Sequence, residues 1–519
     1  MAASIDTVVE VGSDLLTGEQ VVVVARADAQ VRLTDSALTV IATARAFVDR
    51  LAASATTVYG VSTGFGALAT AHIPPERRAD LQRSLVRSHA ASTGREVDGE
   101  VVRALMLLRL RTLASGRTGV RPETAAALVG LLNAGITPVV GEYGSLGCSG
   151  DLAPLAHVAL ALMGEGNVRD GAGKACSAAD ALAQAGLLPI TLAEKEGLAL
   201  INGTDGMLGM LLLAAHDLHA LLVAADISAA MSVEALLGTN RVFAQDLQAL
   251  RPHPGQAIAA GNLRALLQGS EIVASHQVDP EDCPIVQDAY SLRCAPQVAG
   301  AVRDTLQHAE MVAGWELASS IDNPVLLPDG RVESNGNFHG APVGYVLDFL
   351  AVAVADLASM SERRTDRLLD PARSHGLPPF LAADPGVDSG HMIAQYAAAG
   401  IVGELKRLAA PASVDSIPSS AMQEDHVSMG WAAGLKLRRA VDGLRRVLSI
   451  EILTAARALD FRAPLAPAPA TQAARDTVRS RVAGPGPDRY LSPEIEAVVE
   501  LLESGELIAA VETVTGVLR

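Results

Sequence analysis

Residues 431–460 read WAAGLKLRRAVDGLRRVLSIEILTAARALD. Leu437, Val441, Leu444, Leu448, Ile452, Ala455 and Leu459 recur at three- and four-residue steps and form one apolar stripe. Lys436, Arg439 and Arg446 fall off it. The repeat is close to 3.5 residues, which suits a helix lying along other helices in a bundle. The stripe is therefore core, and the chain reads as mainly α.

Working outward, long helical patterns dominate from Asn202 onward. They break at 276–289 (HQVDPEDCPIVQDA), 322–340 (DNPVLLPDGRVESNGNFHG) and 370–390. RAPLAPAPATQ is a Pro-rich connector, after which Ser492-Pro493-Glu494 opens a last helix with a capping Ser and a Pro in the first turn. Nearer the start, VVVVARADAQV (residues 21–31) is the only good strand run. A helix follows behind an Asp35/Ser36 cap, with Leu38, Ile41, Ala44 and Val48 on one face. Further helices are expected around 76–90 and 99–115, and over the alanine-rich Lys174–Leu188. Glycine-rich segments interrupt at 57–73 and 143–151. No repeat of 20–50 residues is visible.

The chain has 519 residues, of which 49% are hydrophobic and only 19% charged. That balance points to surface hidden between subunits, since obligate interfaces resemble a domain core cut in half. A membrane span is the rival reading. The longest candidate run, Gly206–Ala215, falls short of the roughly 20 residues a span needs, and His216-Asp217 interrupts it. The start, MAASIDTVVEVG, lacks the basic head and apolar run of a signal peptide. Net charge is 41 − 58 = −17, which argues against nucleic acid or an anionic membrane as partner. Cys148, Cys176, Cys283 and Cys294 stand far apart with no CxxC, so a reducing cytoplasm and no disulfide or zinc framework are expected.

The chemistry is expected in Tyr143–Asp151, YGSLGCSGD. Asp151 stands where a nucleophile elbow needs its second Gly. There is no P-loop, HExxH or dinucleotide fingerprint, and the glycines of STGFGALAT sit in a mostly helical chain. A glycine amide, however, can approach the carbonyl two residues back. Attack of the Gly150 nitrogen on the Cys148 carbonyl closes a five-membered ring. Loss of water there and from the Ser149 side chain leaves an exocyclic methylidene, a strong electrophile. Position 149 needs a β-leaving group and position 150 needs Gly. Position 148 contributes only its backbone. Taken alone, such tripeptides are mostly plain turns.

The surroundings change that reading. GSLGCSGDLAPLAHVALALMGEG resembles the prosthetic-group motif of the histidine and aromatic amino-acid ammonia-lyases, in which the ring is 4-methylideneimidazol-5-one (MIO). YGVSTGFG, LVRSHAA, LALINGTDGM, VQDAYSLRCAPQV, IDNP, NGNFHG, ERRTDRLLDP and MQEDHVSMG extend the resemblance from about Tyr59 to Arg457. The related aspartase/fumarase signature GSSxMPxKxN is absent. The resemblance implies a long-helix bundle of the aspartase/ammonia-lyase type, completed in a homotetramer with sites shared between chains. Small β elements would lie near the N-terminus. Residues 1–204 would form the MIO-bearing domain and 205–519 the long-helix bundle. It also implies an MIO from Cys148-Ser149-Gly150, no external cofactor and no metal. Cys148 departs from the usual Ala, and Asn335 from the usual Gly.

By the same resemblance, Tyr59 is the base on a loop whose glycines 60, 64 and 66 allow closure. Such a tyrosine needs its pKa lowered from near 10. Arg293 takes the substrate carboxylate with its fork. Gln287 and Tyr290 are neighbouring site positions, Tyr290 beside the MIO. Asn202 orients MIO and substrate, and Phe338 packs near them. Ser88-His89 fits a histidine lyase but also occurs in tyrosine-specific relatives. Glu424 discriminates better: it can accept an imidazole N–H, or act on the amine or a proton, whereas facing a phenyl ring it would be buried without a partner. The substrate expected is L-histidine. The alternatives are a tyrosine lyase or tyrosine 2,3-aminomutase on the same scaffold, and a silent helical assembly protein with an uncyclised triad.

Overall fold

A computed structural model describes residues 8–12, 15–53, 63, 73–276 and 286–519. Backbone contacts divide the chain into two compact units, each drawn from three stretches. The first comprises Met1–His216, Glu310–Asp348 and Pro411–Leu435, the second Asp217–Ala309, Phe349–Ala410 and Lys436–Arg519. The architecture is mainly α, and among the described residues every sheet has only two or three short strands.

The first unit opens with a parallel strand pair, Val8–Val11 against Gln30–Leu33. A parallel pair needs a crossover, and the helix Gly18–Arg26 supplies it. The valine run is therefore mostly helix, not strand. Thr17 and Gln20 form a reciprocal capping box, and Val21, Val22, Val24 and Ala25 are buried. Cap and burial outweigh the β-preference of valine. The next helix, Asp35–Ala53, buries Ala37, Ile41, Ala44 and Val48. Thr34 rather than Asp35 or Ser36 caps it, its Oγ1 accepting from Ala37 N at 3.1 Å. Within 174–188 the alanine-rich segment yields a strand, Ala175–Ser177, and only a short helix, Ala178–Gln184.

At the centre of this unit is the helix Gly99–Ala114, buried on all sides from Val101 to Ala114. Three arginines are inside it, and each is stitched to backbone carbonyls. Arg103 donates to Val24 O and Leu132 O, Arg111 to Ala318 O and Ser319 O. Arg109 donates to Ala199 O and Asn202 O, both at 3.1 Å, and to Asp205 Oδ2. These bonds satisfy donors whose burial would otherwise be costly.

Four long helices occupy the later chain: Asp205–Ala235, Ala295–Ala318, Ala341–Leu369 and Gly430–Asp460. The stripe from Leu437 to Leu459 is buried throughout. The first of these helices continues through His216-Asp217, so the apolar run is longer than the sequence reading allowed. It and Ala341–Leu369 could cross a bilayer by length and composition, yet 78% and 61% of their most apolar windows are buried within the protein. In the tail, Ser492 is not the cap: the helix starts at Leu491, and a break at Ser504-Gly505 precedes one more helix, Glu506–Thr515.

In the second unit the long helices share a buried polar cluster. Glu451 accepts bidentate bonds from Arg364 at 2.5 and 2.8 Å and hydroxyl bonds from Ser232 and Ser361. Arg364 and Glu451 are both almost fully buried. Removing one partner leaves a buried charge uncompensated, so Glu451→Gln is expected to cost about 3–5 kcal/mol of unfolding free energy. Chemical denaturation checks this; a loss under about 1 kcal/mol would contradict it.

Candidate active site

The site begins where the strand Gly141–Tyr143 ends and the helix Leu152–Leu162 begins. Between them the loop is pinned from several sides. Leu146 O accepts from Met429 N at 2.9 Å, and Gly147 O accepts from Gly340 N and the Ser428 hydroxyl. The motifs VSMG and NGNFHG therefore hold the Cys148 loop, and Phe338, half-buried, lies two residues before Gly340.

Gly150 has φ +71°, and a Cβ there would stand 2.1 Å from Gly203 O. It forms an isolated parallel bridge with Gly203, and Asp151 N donates to Gly203 O at 2.7 Å. Gly203 is confined in turn, because a Cβ on it would meet Arg109 Nη2 at 1.6 Å. Among the described residues nothing accepts a hydrogen bond from the Gly150 amide.

Asp151 is fully buried and accepts from Ser145 Oγ, Gly206 N and Met207 N, each at 2.9 Å. The two amides belong to the first turn of Asp205–Ala235. Burial nevertheless outweighs these bonds and pushes the Asp151 carboxyl up to about 7.

Glu424 lies across from the triad. Its Oε1 accepts from Ser149 Oγ at 2.8 Å, and its Oε2 accepts from Cys148 Sγ at 3.2 Å and Ser419 Oγ at 2.8 Å. Burial opposes its ionisation, but these three donors and nearby His89 prevail and lower its pKa. Burial first, then Glu424, push the Cys148 thiol up to about 12, so it remains a donor. His89 ends the helix Arg78–His89, and burial lowers its pKa. Its Nδ1 is 2.9 Å from Leu85 O, an acceptor only, so the neutral ring carries its proton there and leaves Nε2 as an acceptor.

Asn202 is buried between these elements. Its Nδ2 contacts Asn323 O at 3.5 Å, while its Oδ1 is buried without a partner among the described residues. Asn335 donates from its side chain to Asp322 O and from its backbone to Asn323 Oδ1, which gives the Asn at this position a definite structural task. Asp322 is paired with Lys195, both fully buried.

Cys148, Ser149, Gly150, Glu424, His89 and Asn202 thus belong to one unit and share this neighbourhood. Gln287, Tyr290 and Arg293 form a group of their own in the second unit. The Arg293 guanidinium stands over the Tyr290 ring at 4.7 Å, and its buried Nε has no partner among the described residues. Tyr290 and Gln287 are exposed. Tyr59, with glycines 60, 64 and 66, lies outside the described residues, as does Cys283. Cys148, Cys176 and Cys294 are free thiols. Sequence reasoning did not single out Arg109, Asp151, Ser419 or Ser428. Only Asp151 carried a signal, an acid at the mouth of an apolar helix.

The profile of the aromatic amino acid lyase family matches residues 16–480. The chain belongs to this family. Within it, the chain is 64% identical to a histidine ammonia-lyase of Streptomyces coelicolor, over 98% of this chain and 99% of that one. It is 50% identical to a histidine ammonia-lyase of Symbiobacterium thermophilum, over 98% and 99%. Among solved structures it is similar to a tyrosine aminomutase of Streptomyces globisporus, with TM-score 0.93, 38% identity and coverage of 99% and 100%. It is likewise similar to the histidine ammonia-lyase of Trypanosoma cruzi, with TM-score 0.89, 38% identity and coverage of 98% and 95%.

Two outcomes test this geometry. Gly203→Ala should displace Arg109 and shift the Gly150 bridge, so the midpoint of thermal denaturation should fall by several degrees. Asp151 supplies a pH signature. A carboxyl raised to about 7 in the fold but near 4 when unfolded contributes stability that is complete below pH ~4 and lost as pH rises through ~7. Asp151→Asn removes that dependence. Its stability relative to the parent should therefore improve steadily between those limits, as read from denaturation at each pH.

Proposed function

We propose that this chain is a carbon–nitrogen lyase that converts L-histidine to trans-urocanate and ammonia, using an MIO formed from Cys148-Ser149-Gly150. The single observation that carries the substrate is the Glu424 carboxylate set against the triad, with His89 in its field. An ionised carboxylate has a use beside an imidazole N–H and none beside a plain phenyl ring. The names of relatives at 62–64% identity support the same reading.

The local structure fits the prosthetic group. Gly150 sits where no Cβ is tolerated, its amide has no acceptor among the described residues, and the Ser149 hydroxyl is already bonded to a carboxylate. Asn202 Oδ1 is a buried acceptor with no donor among the described residues. The bound group supplies an electrophile that makes loss of the amine feasible.

The chain's own residues do the rest. Glu424 accepts the imidazole N–H or takes a proton, and His89 Nε2 offers a second acceptor. Arg293 binds the substrate carboxylate through its fork, and its unpartnered Nε supports that role. Tyr59 removes the β-proton. Gln287, Tyr290, Asn202 and Phe338 orient the substrate. Along the chain, residues 1–204 carry the prosthetic group and 205–519 supply the bundle. We assign a cytoplasmic homotetramer with sites shared between subunits. Exposed Trp315, Tyr345, Phe349, Ile393 and Tyr396 support such an assembly.

A tyrosine 2,3-aminomutase is the second reading, favoured by the likeness to the Streptomyces globisporus structure. The two are separated by product. Near-ultraviolet absorbance should rise with L-histidine and stay flat with L-tyrosine and L-phenylalanine; the reverse would overturn the substrate assignment. Ser149→Ala should abolish turnover together with the two-water mass deficit. Glu424→Gln should lower kcat by about 10²–10⁴, the range of a proton-transfer or charge-recognition group.

A further inference from the structure

The two oxygens of Glu424 are held unequally. Among the described residues Oε1 has one donor, the Ser149 hydroxyl, while Oε2 has two, Cys148 Sγ at 3.2 Å and Ser419 Oγ at 2.8 Å. Ser419 is built for the position. Ser419 and Glu424 pair as an antiparallel bridge, Ser419 N donating to Glu424 O at 2.9 Å and Glu424 N to Ser419 O at 3.3 Å. The turn between them places Ser420, Ala421 and Met422 in the left-handed region, with φ of +50°, +54° and +69°. Consecutive non-glycine residues there are strained, and such strain persists only where surroundings enforce it.

Ring formation removes the Ser149 oxygen as water, so Oε1 loses the only donor it has among the described residues while Oε2 keeps both of its own. The geometry points to Cys148 and Ser419 as positioning residues that hold Glu424 by Oε2 in the mature enzyme, leaving Oε1 as the free acceptor for a substrate N–H. This rests on the lyase reading above. It gives Cys148 a task that an Ala at that position could not perform, and it makes maturation of the electrophile and uncapping of the carboxylate one event.

The groups facing Glu424 are Cys148 and Ser149 from the triad loop, Ser419 across the turn and His89 from the helix Arg78–His89. Asp425 and His426 follow it in the chain. Each donor favours the ionised carboxylate, so removing one raises the Glu424 pKa. The acidic limb of kcat/KM reports that group in the free enzyme.

The experiment uses the full-length enzyme and four variants, Cys148→Ala, Cys148→Ser, Ser419→Ala and Ser419→Thr. Intact mass is read first. All variants should keep the two-water deficit, because neither side chain supplies an atom of the ring. Cys148→Ala and Ser419→Ala should each move the acidic limb up by about half to one pH unit. Cys148→Ser and Ser419→Thr, which restore a hydroxyl donor, should return it. Calorimetric binding of 3-(imidazol-4-yl)propionate, which has no amine to lose, should weaken about tenfold in the two alanine variants at the acidic end and less at alkaline pH. An unchanged limb and unchanged binding in both alanine variants would overturn the proposal, as would a missing mass deficit, which would place these side chains in ring formation instead. Failure of the parent enzyme to deaminate histidine would strike the lyase reading, a separate result.

Discussion

The active site depends on the contact between the backbones of Gly150 and Gly203. The two glycines face each other with no space for a β-carbon on Gly150, and the Arg109 guanidinium closes the space behind Gly203. Glycine lets two backbones approach where a side chain would hold them apart. Here that approach is fixed from outside the triad. Arg109 fixes the Asn202 carbonyl and Asp205, Asp205 begins the long helix, and that helix's first amides fix Asp151. The buried charges of the first unit are therefore the frame in which a short peptide is bent.

This arrangement gives a role to buried polar groups in so apolar a chain. Lys195–Asp322 and Arg109–Asp205 are each desolvated ion pairs, which contribute little net stability compared with apolar packing. What they give is position. Asp322 and Asn323 receive Asn335, and Asn202 is set beside Asn323 with one oxygen unpaired. Catalytic groups that must be held within a fraction of an ångström need such supports.

The bundle was legible because periodicity survives in a single helix: Leu437 to Leu459 needed no partner to be recognised as core. The triad was read from two residues, Ser149 for the β-leaving group it carries and Gly150 for the Cβ it lacks, and the close Gly150–Gly203 approach that confines it was not visible in sequence. The misreadings have common physical causes. In Val21–Val24 a local preference for strand was overruled by a capping box and burial, neither visible in a run of four valines. At Asp35 and Ser492 several residues could cap, and the chain geometry selected another start. Arg109, Ser419 and Ser428 were invisible because their significance comes from contacts across the fold. Arg109 reads in sequence as one more charge on a helix. Tertiary structure makes it the back wall of the site.

The loop of Cys148 is completed by residues far along the chain. Glu424 lies 276 residues after Cys148, and Ser428 and Met429 follow shortly after Glu424. At ordinary rates of translation the ribosome takes roughly tens of seconds to cover that distance. During that interval the nascent loop lacks the partners that press it into shape. The Cys148 loop therefore takes its final shape late, when most of the chain has been synthesised.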